Sequence, residues 1–503
     1  MQTVSTRRIA LIPVDARPAV REQVVQLVAT ADCDLLVPPR QLLGRFREPG
    51  DREELTRWLL TQAERVDGYV ISLDMLVYGG LVPSRFIDDS LESLLARLEV
   101  LKVLKQRQPH KPIYAFAATM RISNNNVADE EKSYWSDVGE LIWRWSYFTD
   151  KHDHERDWEA GEIARATASR IPVEIQHDYL AIRARNFAIT DAALRLCVDG
   201  MIDGLILPQD DTAAYGFNIA ERRRLEATVR ERDLGDRVRI YPGADEVAHT
   251  LCAHVVNELM VNARLKVHCL FSDPDHVEKL TARYEDRPLL DSIKSQLFAV
   301  DAEMVNTIGE ADAVLAVHTQ GTAQGDWAMR IALPARPGVC QSWLTQIAFA
   351  HRIGKPIALA DLAFANGGDP VMLEAFAAKM PLHTLAGYAG WNTASNSIGS
   401  LVAQCSLARA AFGGNVNQQV LCLRLLEDYL YQAVWRQRVR DVIGQRDERT
   451  FAADELETLV AEMFIPAANA WLADNAFEFR VVSIYLPWQR TFEIGINLSA
   501  LAA

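Results

Sequence analysis

Short apolar runs rich in β-branched residues alternate with longer stretches of helical period along most of the chain. This alternation is typical of βα units and of a parallel sheet. In the first region it predicts strands near 8–14, 34–38, 68–73 and 112–118. The helices predicted between them lie near 18–30, 51–65 and 90–107. Residues 122–177 are polar and Trp-rich and show no strand period, so we interpret them as a partly helical insertion.

The alternation continues after this insertion, with one interruption. It predicts a long helix near 178–198 and then strands near 203–208, 237–242 and 266–271. Residues 274–310 have a mostly helical pattern and are expected to bridge two domains. From residue 311 the apolar runs return as ADAVLAVHT, PIALADLAF and LHTLAGYAG, with helices near 341–353, 370–379 and 394–411. The last two runs, FRVVSIYLPW and FEIGINL, predict a β-hairpin.

These elements predict an α/β fold with two doubly wound parallel-sheet lobes, a helical insertion and a C-terminal helix/hairpin tail. The number of strands also allows an irregular (β/α) barrel, but the helical bridge interrupts the regular rhythm that a barrel needs. A chain of 503 residues exceeds what one hydrophobic core usually supports. The predicted parts are an N-terminal α/β domain, a helical bridge, a second α/β lobe and a tail, over 1–273, 274–310, 311–414 and 415–503.

Composition and charge narrow the class of protein. The formal charge of −14 argues against nucleic acid or an anionic membrane as the partner, because the chain shows no basic stripe. No apolar segment reaches the length of a membrane span. The seven cysteines include no CxxC pair and are interpreted as reduced thiols of a cytoplasmic protein. The chain also lacks a P-loop, a GxSxG elbow, an HExxH motif and a GxGxxG after the first strand.

Nearly every strand-like run ends within a few residues on a carboxylate or an amide. In parallel sheets these ends share one edge, where ligands bind. The catalytic candidates are one acid from each of two adjacent pairs, Asp210 or Asp211 and Asp245 or Glu246. Adjacent carboxylates repel each other unless a proton, a cation or an arginine intervenes, which suits general acid/base chemistry.

A metal site is the alternative for some of the same residues. His249 lies three or four residues after Asp245 and Glu246, on the same helical face. Together with Asp245 and His318 it would provide three ligands for a divalent metal. Two acids at a helix start also have an ordinary explanation, because they complement the helix dipole.

Further polar and aromatic residues at strand ends are candidates for substrate binding. Amides offer a donor and an acceptor to sugar hydroxyls, and an aromatic face stacks on a pyranose ring. Helix capping and core packing are the structural alternatives for these residues. The candidates are Asp15, Arg17, Asp74, Tyr78, Arg121, Asn125, Asn126, Glu130, Asp361, Asn366, Trp391 and Asn392.

The chain resembles a bacterial family known as domain of unknown function 4127. The resemblance extends over residues 8–411 and rests on PVDARP, SLDMLVYGGLVPSR, NNNVADEEKSYW, PQDDTAAYGFN, YPGADE, ANGGD and GWNTASN. It implies a bacterial soluble protein but no catalytic residues, because the family has no assigned activity. The stretch ADLAFANGGD is also similar to an Asp–Asn–Gly-rich stretch of microcystinase-type metallohydrolases, which implies a metal.

We therefore expect a hydrolase with an acidic cleft between the lobes. One carboxylate would protonate the leaving oxygen of a small sugar or amino-sugar conjugate, and a second would activate water or form a covalent intermediate. This mechanism needs no cofactor. The alternatives are a divalent-metal-dependent amidohydrolase or isomerase, and a carbohydrate-binding protein without catalytic activity.

Overall fold

A sheet of six parallel strands organises the first half of the protein. The computed structural model describes residues 6–261, 263–334 and 338–501. The strand order is β2-β1-β3-β4-β5-β6, so the chain winds outward in both directions from the adjacent strands β1 and β3. The strands are β1 (Arg8–Ile12), β2 (Asp34–Leu36), β3 (Gly68–Ser72), β4 (Ile113–Phe116), β5 (Gly204–Gln209) and β6 (Val238–Pro242).

Helices cover both faces of this sheet. Ile9 and Leu11 pack with the helices at Glu22–Ala29 and Val247–Met260. Ala10 and Ile12 point to the opposite face and pack with the helices at Arg52–Thr61, Glu99–Arg107 and Val173–Val198. Both faces of β1 are thus buried, which explains why its sequence is a continuous apolar run. The helices are α1 (Glu22–Ala29), α2 (Arg52–Thr61), α3 (Leu91–Arg97), α4 (Glu99–Arg107), α5 (Trp135–Glu155), α6 (Trp158–Ala168), α7 (Val173–Val198), α8 (Phe217–Glu231) and α9 (Val247–Met260).

A second parallel sheet has five strands in the order β13-β11-β9-β7-β8. Two shorter strands, β10 and β12, pair with each other beside it. The strands are β7 (Leu265–Phe271), β8 (Ala302–Met304), β9 (Ala313–His318), β10 (Gly325–Asp326), β11 (Ile357–Asp361), β12 (Phe364–Ala365) and β13 (Gly387–Ala389). The helices of this half are α10 (Leu289–Ala299), α11 (Gln341–Arg352), α12 (Pro370–Ala377) and α13 (Ala394–Ala408).

The fold class predicted from the sequence is confirmed, with two corrections in detail. Both sheets are parallel and doubly wound, and in the described part of the chain neither closes into a barrel. The strand at Leu265–Phe271 pairs with β9 in the second sheet and not with the first domain. Residues 274–310 are not mostly helical, because only α10 is a helix there and β8 adds an edge strand. The pattern of apolar residues identifies a strand, but it does not show which of two sheets the strand joins.

The two sheets share one layer of helices. Leu11 and Phe116 of the first sheet, and Leu315 and Val317 of the second, belong to one continuous core together with α1, α9, α10 and α13. Helix α13 packs against α9 and α10, and every one of its residues is buried. Small and apolar residues all around α13 allow this close packing on all sides.

The C-terminal tail covers the outer face of the second sheet and ends in the predicted hairpin, which is confirmed. Its helices are α14 (Asn415–Arg424), α15 (Arg436–Ile443) and α16 (Ala453–Asp474), with a π-helical segment at Leu425–Trp435. The hairpin strands are β14 (Phe479–Tyr485) and β15 (Gly495–Ala500). Among the described residues, no helix is long and apolar enough to span a membrane.

Candidate functional site

The carboxyl ends of the strands of both sheets meet at one edge, which we call the carboxyl edge. Asp15 follows β1, the strand beside the switch point of the first sheet, and Asp245 follows β6. Asn392 follows β13 of the second sheet, and its Nδ2 donates to Asp245 Oδ2 at 2.8 Å. Ligands of open α/β sheets bind at such edges. Residues 147 positions apart, in different sheets, are therefore neighbours.

Arg17 connects the residues of this edge. Its guanidinium donates to Asp15 Oδ2 at 2.8 Å and to Asp245 Oδ1 at 2.5 Å, and its side chain is only 6% exposed. Burial raises the pKa of Asp15 although Arg17 opposes that shift. The structure thus brings four predicted residues, Arg17, Asp15, Asp245 and Asn392, into one cluster, the Arg17 group.

A second cluster lies where β3, β4 and β5 end. Asp210 Oδ2 accepts from Arg85 at 3.1 Å, and Asp211 Oδ2 accepts from Arg121 at 3.0 Å. Glu130 contacts both arginines, at 3.1 and 3.0 Å. Each carboxylate therefore has a guanidinium partner, as adjacent acids at a strand end require.

The tail joins the two clusters. Arg490, in the loop between β14 and β15, donates to Glu130 at 2.8 Å and to Glu493 at 2.5 Å. Glu493 in turn lies 4.0 Å from Arg17. In the same loop, the ring of Trp488 lies 4.6 Å from the Arg17 guanidinium carbon. The hairpin loop thus covers the carboxyl edge.

Asp210 and Asp211 have different surroundings. Burial, followed by the charge of Asp211, raises the pKa of Asp210 to about 7. Asp211 has a left-handed backbone with φ of +40°, which Asp and Asn adopt more readily than most residues. Both side chains are partly exposed, at 16% and 26%. An acid with a pKa near neutral next to a second carboxylate is a suitable arrangement for proton transfer.

Three other predicted residues lie below the carboxyl edge, in the protein interior. Asp74 Oδ2 accepts from the Ala118 amide at 2.9 Å, and burial raises its pKa to about 7. Tyr78, four residues later in the same π-helical turn, is also buried. Glu246 accepts from Gln296 at 2.8 Å, is 1% exposed, and has a pKa raised by burial to about 8. None of the three reaches the exposed part of the edge.

The asparagines of the insertion stabilise their own loop. Asn125 Oδ1 accepts from the amide of Val127, and Asn126 Oδ1 accepts from the amide of Glu140, both at 2.9 Å. Among the described residues, no hydrogen bond connects either side chain to the Arg17 group. Both side-chain oxygens are therefore used within the insertion, in hydrogen bonds to backbone amides, and neither caps the start of α5.

The remaining predicted residues belong to the second sheet. Asp361 Oδ2 accepts from Tyr388 at 3.0 Å, and burial raises its pKa to about 6. Asn366 has φ of +60° and donates through Nδ2 to Asp326 at 3.1 Å. Trp391 is 3% exposed and packs under the tail loop, with its ring 6.4 Å from that of Phe492. Its face is therefore not open for stacking on a sugar ring.

The residues of the metal alternative are separately engaged. Asp245 is held by Arg17 and Asn392, and His318 Nε2 contacts Asp369 at 3.1 Å. Burial, followed by the charge of Arg424, lowers the pKa of His249 to about 3. Within the described ranges, no three His, Cys, Asp or Glu side chains form a group that could hold a metal ion.

Sequence reasoning missed the contribution of the tail. Trp488, Arg490 and Glu493 lie in a turn between two strands, some 360 positions after Glu130. An aromatic residue and charged residues in a hairpin loop give no signal of their own, because such loops are ordinarily solvated. Only the packing of the tail shows that this loop returns to the carboxyl edge.

Comparison with known proteins gives one finding. The model of a family described as "Protein of unknown function (DUF4127)" matches residues 9–497. A search of curated proteins gives no match. The matched range includes both clusters and the tail loop that joins them. Because nearly the whole sequence is covered, the chain belongs to the DUF4127 family of proteins of unknown function.

Proposed function

We propose that the protein is a hydrolase of a small sugar or amino-sugar conjugate, with Asp210 and Asp211 as its acid/base pair. The observation that carries this proposal is the contrast between two adjacent carboxylates on the carboxyl edge. Each is paired with an arginine, Asp210 with Arg85 at 3.1 Å and Asp211 with Arg121 at 3.0 Å, but burial and the charge of Asp211 raise the pKa of Asp210 to about 7. Pairs of acids with unlike environments are how glycosidases divide the two roles.

In this proposal Asp210 is the general acid. With a pKa of about 7 it carries a proton part of the time at neutral pH and can give it to the leaving oxygen. Asp211, whose Oδ2 lies 3.0 Å from Arg121 Nη1, accepts a proton from the attacking water. Both side chains are partly exposed, so a substrate can reach them.

The Arg17 group would hold the substrate. Asn392 is partly exposed and offers an amide suited to sugar hydroxyls, whereas the buried Asp15 and Asp245 hold Arg17 and this amide in position. A cavity of about 360 Å³ adjoins Ala16, between Asp15 and Arg17, and is also lined by Pro487 and Trp488 of the tail loop. Its volume is in the range of small-molecule sites.

The test is a panel of nitrophenyl glycosides with purified wild-type, Asp210→Asn and Asp211→Asn proteins. Loss of a general acid or base should lower kcat/KM by roughly 100-fold or more. Wild-type kcat/KM should also decline as the pH rises through about 7, because Asp210 then loses its proton. Asp153→Asn, at an exposed position of α5, is the matched control and should keep wild-type activity.

Two results would contradict the proposal. Wild-type rates in both variants, with thermal stability unchanged, would remove the pair from the mechanism. A thermal shift with sugars and no turnover over hours would identify a binding protein instead.

A further inference from the structure

We propose that Arg85, Arg121 and Arg490, the arginine site, bind an oxyanion of a small-molecule ligand, either a carboxylate or a phosphate, and that Glu130 occupies this site in the free protein. The three arginines come from separate parts of the chain, after β3, after β4 and from the tail loop. The conclusion that the substrate of the enzyme carries an oxyanion rests on the proposed function. The binding of an oxyanion by the three arginines does not depend on it, because binding requires no catalysis.

Glu130 has the contacts of a bound anion. Its Oε2 lies 3.1 Å from Arg85 Nη1 and 3.0 Å from Arg121 Nη2, and its Oε1 accepts from Arg490 at 2.8 Å. Burial alone would raise the pKa of Glu130, but Arg121, Arg490 and Arg85 hold it well below its usual value. Converging guanidinium groups are a typical receptor for carboxylates and phosphates.

Of the two acids in the loop before α5, Glu130 is the better placed to leave. It lies in the irregular loop between β4 and α5, whereas Asp210 and Asp211 directly follow β5. The Glu130 side chain is 15% exposed, and that of the adjacent Glu131 only 5%. The arginine site is therefore accessible from solvent on the side where Glu130 lies.

The loop backbone has its own support. Arg47 Nη1 donates to the carbonyl oxygens of Ala128 at 3.2 Å, Asp129 at 3.1 Å and Glu131 at 2.6 Å. These bonds do not involve the Glu130 carboxylate. The side chain of Glu130 can therefore rotate out while the loop keeps its path.

The replacing group must carry a negative charge. The side chains of Arg85, Arg121 and Arg490 are 2%, 20% and 21% exposed, so water cannot fully solvate them. They keep contacts with Glu131, Asp210, Asp211 and Glu493, but Glu130 is the carboxylate that all three share. A neutral hydroxyl in its place would remove the carboxylate that bridges the three guanidinium groups and would leave Arg490 with Glu493 as its carboxylate partner among the described residues, which is unfavourable for charges this little exposed. For the proposed hydrolase, the substrate is therefore a sugar with an acidic substituent.

Calorimetric titration at constant ionic strength tests this inference. Inorganic phosphate and glucuronate are the two probes, and the one that gains affinity identifies the type of oxyanion. We expect Glu130→Gln to bind at least one probe tenfold or more tightly than wild type, because the internal competitor has lost its charge. Adding Arg121→Gln to this variant should abolish the gain. Glu162→Gln, which breaks an exposed ion pair of α6 with Arg165, is the matched control and should change nothing.

A second variant keeps the test decisive if Glu130→Gln does not fold. Glu130→Asp retains the charge but shortens the side chain by one methylene, so its carboxylate competes less well with a probe. We expect this variant to gain less affinity for the probe than Glu130→Gln. No gain for either probe in whichever of the two variants folds would overturn the oxyanion site. A gain in affinity without any glycoside cleavage would leave the oxyanion site standing and remove only the hydrolase proposal. Cleavage of neutral glycosides without any gain in affinity for the probes would leave the hydrolase proposal standing and remove the oxyanion site.

Discussion

The buried carboxyl group of Glu246 makes the stability of the protein depend on pH. Burial raises the pKa of Glu246 to about 8, from 4.5 for a free glutamate. A carboxylate with a raised folded-state pKa contributes stability below its unfolded value, and that contribution is lost as the pH rises through the folded value. The stability of the wild type should therefore fall between pH 5 and pH 8 through this residue.

Glu246→Gln should remove this pH dependence. Between pH 5 and pH 7 the free energy of unfolding should decline less steeply than in wild type, by up to about 1.4 kcal/mol per pH unit for one proton. The new amide can still accept from Ala244, and it can donate to Gln296 Oε1, which has no hydrogen-bond partner among the described residues. Urea unfolding at three pH values measures the slope, with the exposed Glu303→Gln as control. Parallel slopes in wild type and Glu246→Gln would contradict the prediction.

At the scale of elements, the hairpin loop is the part that closes the carboxyl edge. Trp488 is 7% exposed and lies between Arg17, 4.6 Å away, and Phe46, whose ring centroid is 5.1 Å away. Its ring therefore contributes apolar burial and a cation–π contact at the same place. The loop is held to the edge by this residue together with Arg490.

Trp488→Ala should destabilise the protein by about 3 kcal/mol or more, because a large buried ring leaves a cavity. It should also expose the Arg17 group to solvent. Trp488→Phe keeps an aromatic ring and should cost clearly less. Thermal unfolding and hydrogen exchange of the Arg17 backbone amide measure the two effects. Equal stability of Trp488→Ala and wild type would show that the loop does not close the edge.

For the whole molecule, the shared layer of helices is the dominant feature. Ile398 of α13 is fully buried in the core that includes strands of both sheets. Because both sheets contribute residues to this core, we expect the half of the protein around the first sheet and the half around the second to unfold together. Cooperative unfolding of this kind gives coincident transitions with different probes.

Ile398→Ala should lower the free energy of unfolding by about 2–5 kcal/mol, and Ile398→Val by about 0.5–1.5 kcal/mol. In both variants the denaturant transitions followed by far-UV circular dichroism and by tryptophan fluorescence should remain superimposed. Two separated transitions, with only one of them shifted, would mean that the halves fold independently.

Much of the fold was predictable because strands covered on both faces must be apolar at every position. The runs around β1, β3, β5, β9 and β11 carry this pattern, and each is a strand of a parallel sheet. The polar residues that follow two of these strands also lie on the carboxyl edge, namely Asp15 and Arg17 after β1 and Asp210 and Asp211 after β5. Local sequence suffices here, because the end of a parallel strand fixes the edge on which the next residues lie.

Other features depend on packing between distant segments. The apolar pattern of β7 suits a strand of either sheet, so only its pairing with β9 shows that it belongs to the second sheet. Trp391 has the composition of a sugar site, yet tertiary contacts bury its ring. The meeting of Arg490 with Glu130 likewise follows from the path of the tail. By itself the sequence determined the strands and the polar residues at their ends, because both follow from neighbours along the chain. Tertiary structure alone decided which of those residues share a charge network, because that depends on contacts between residues hundreds of positions apart.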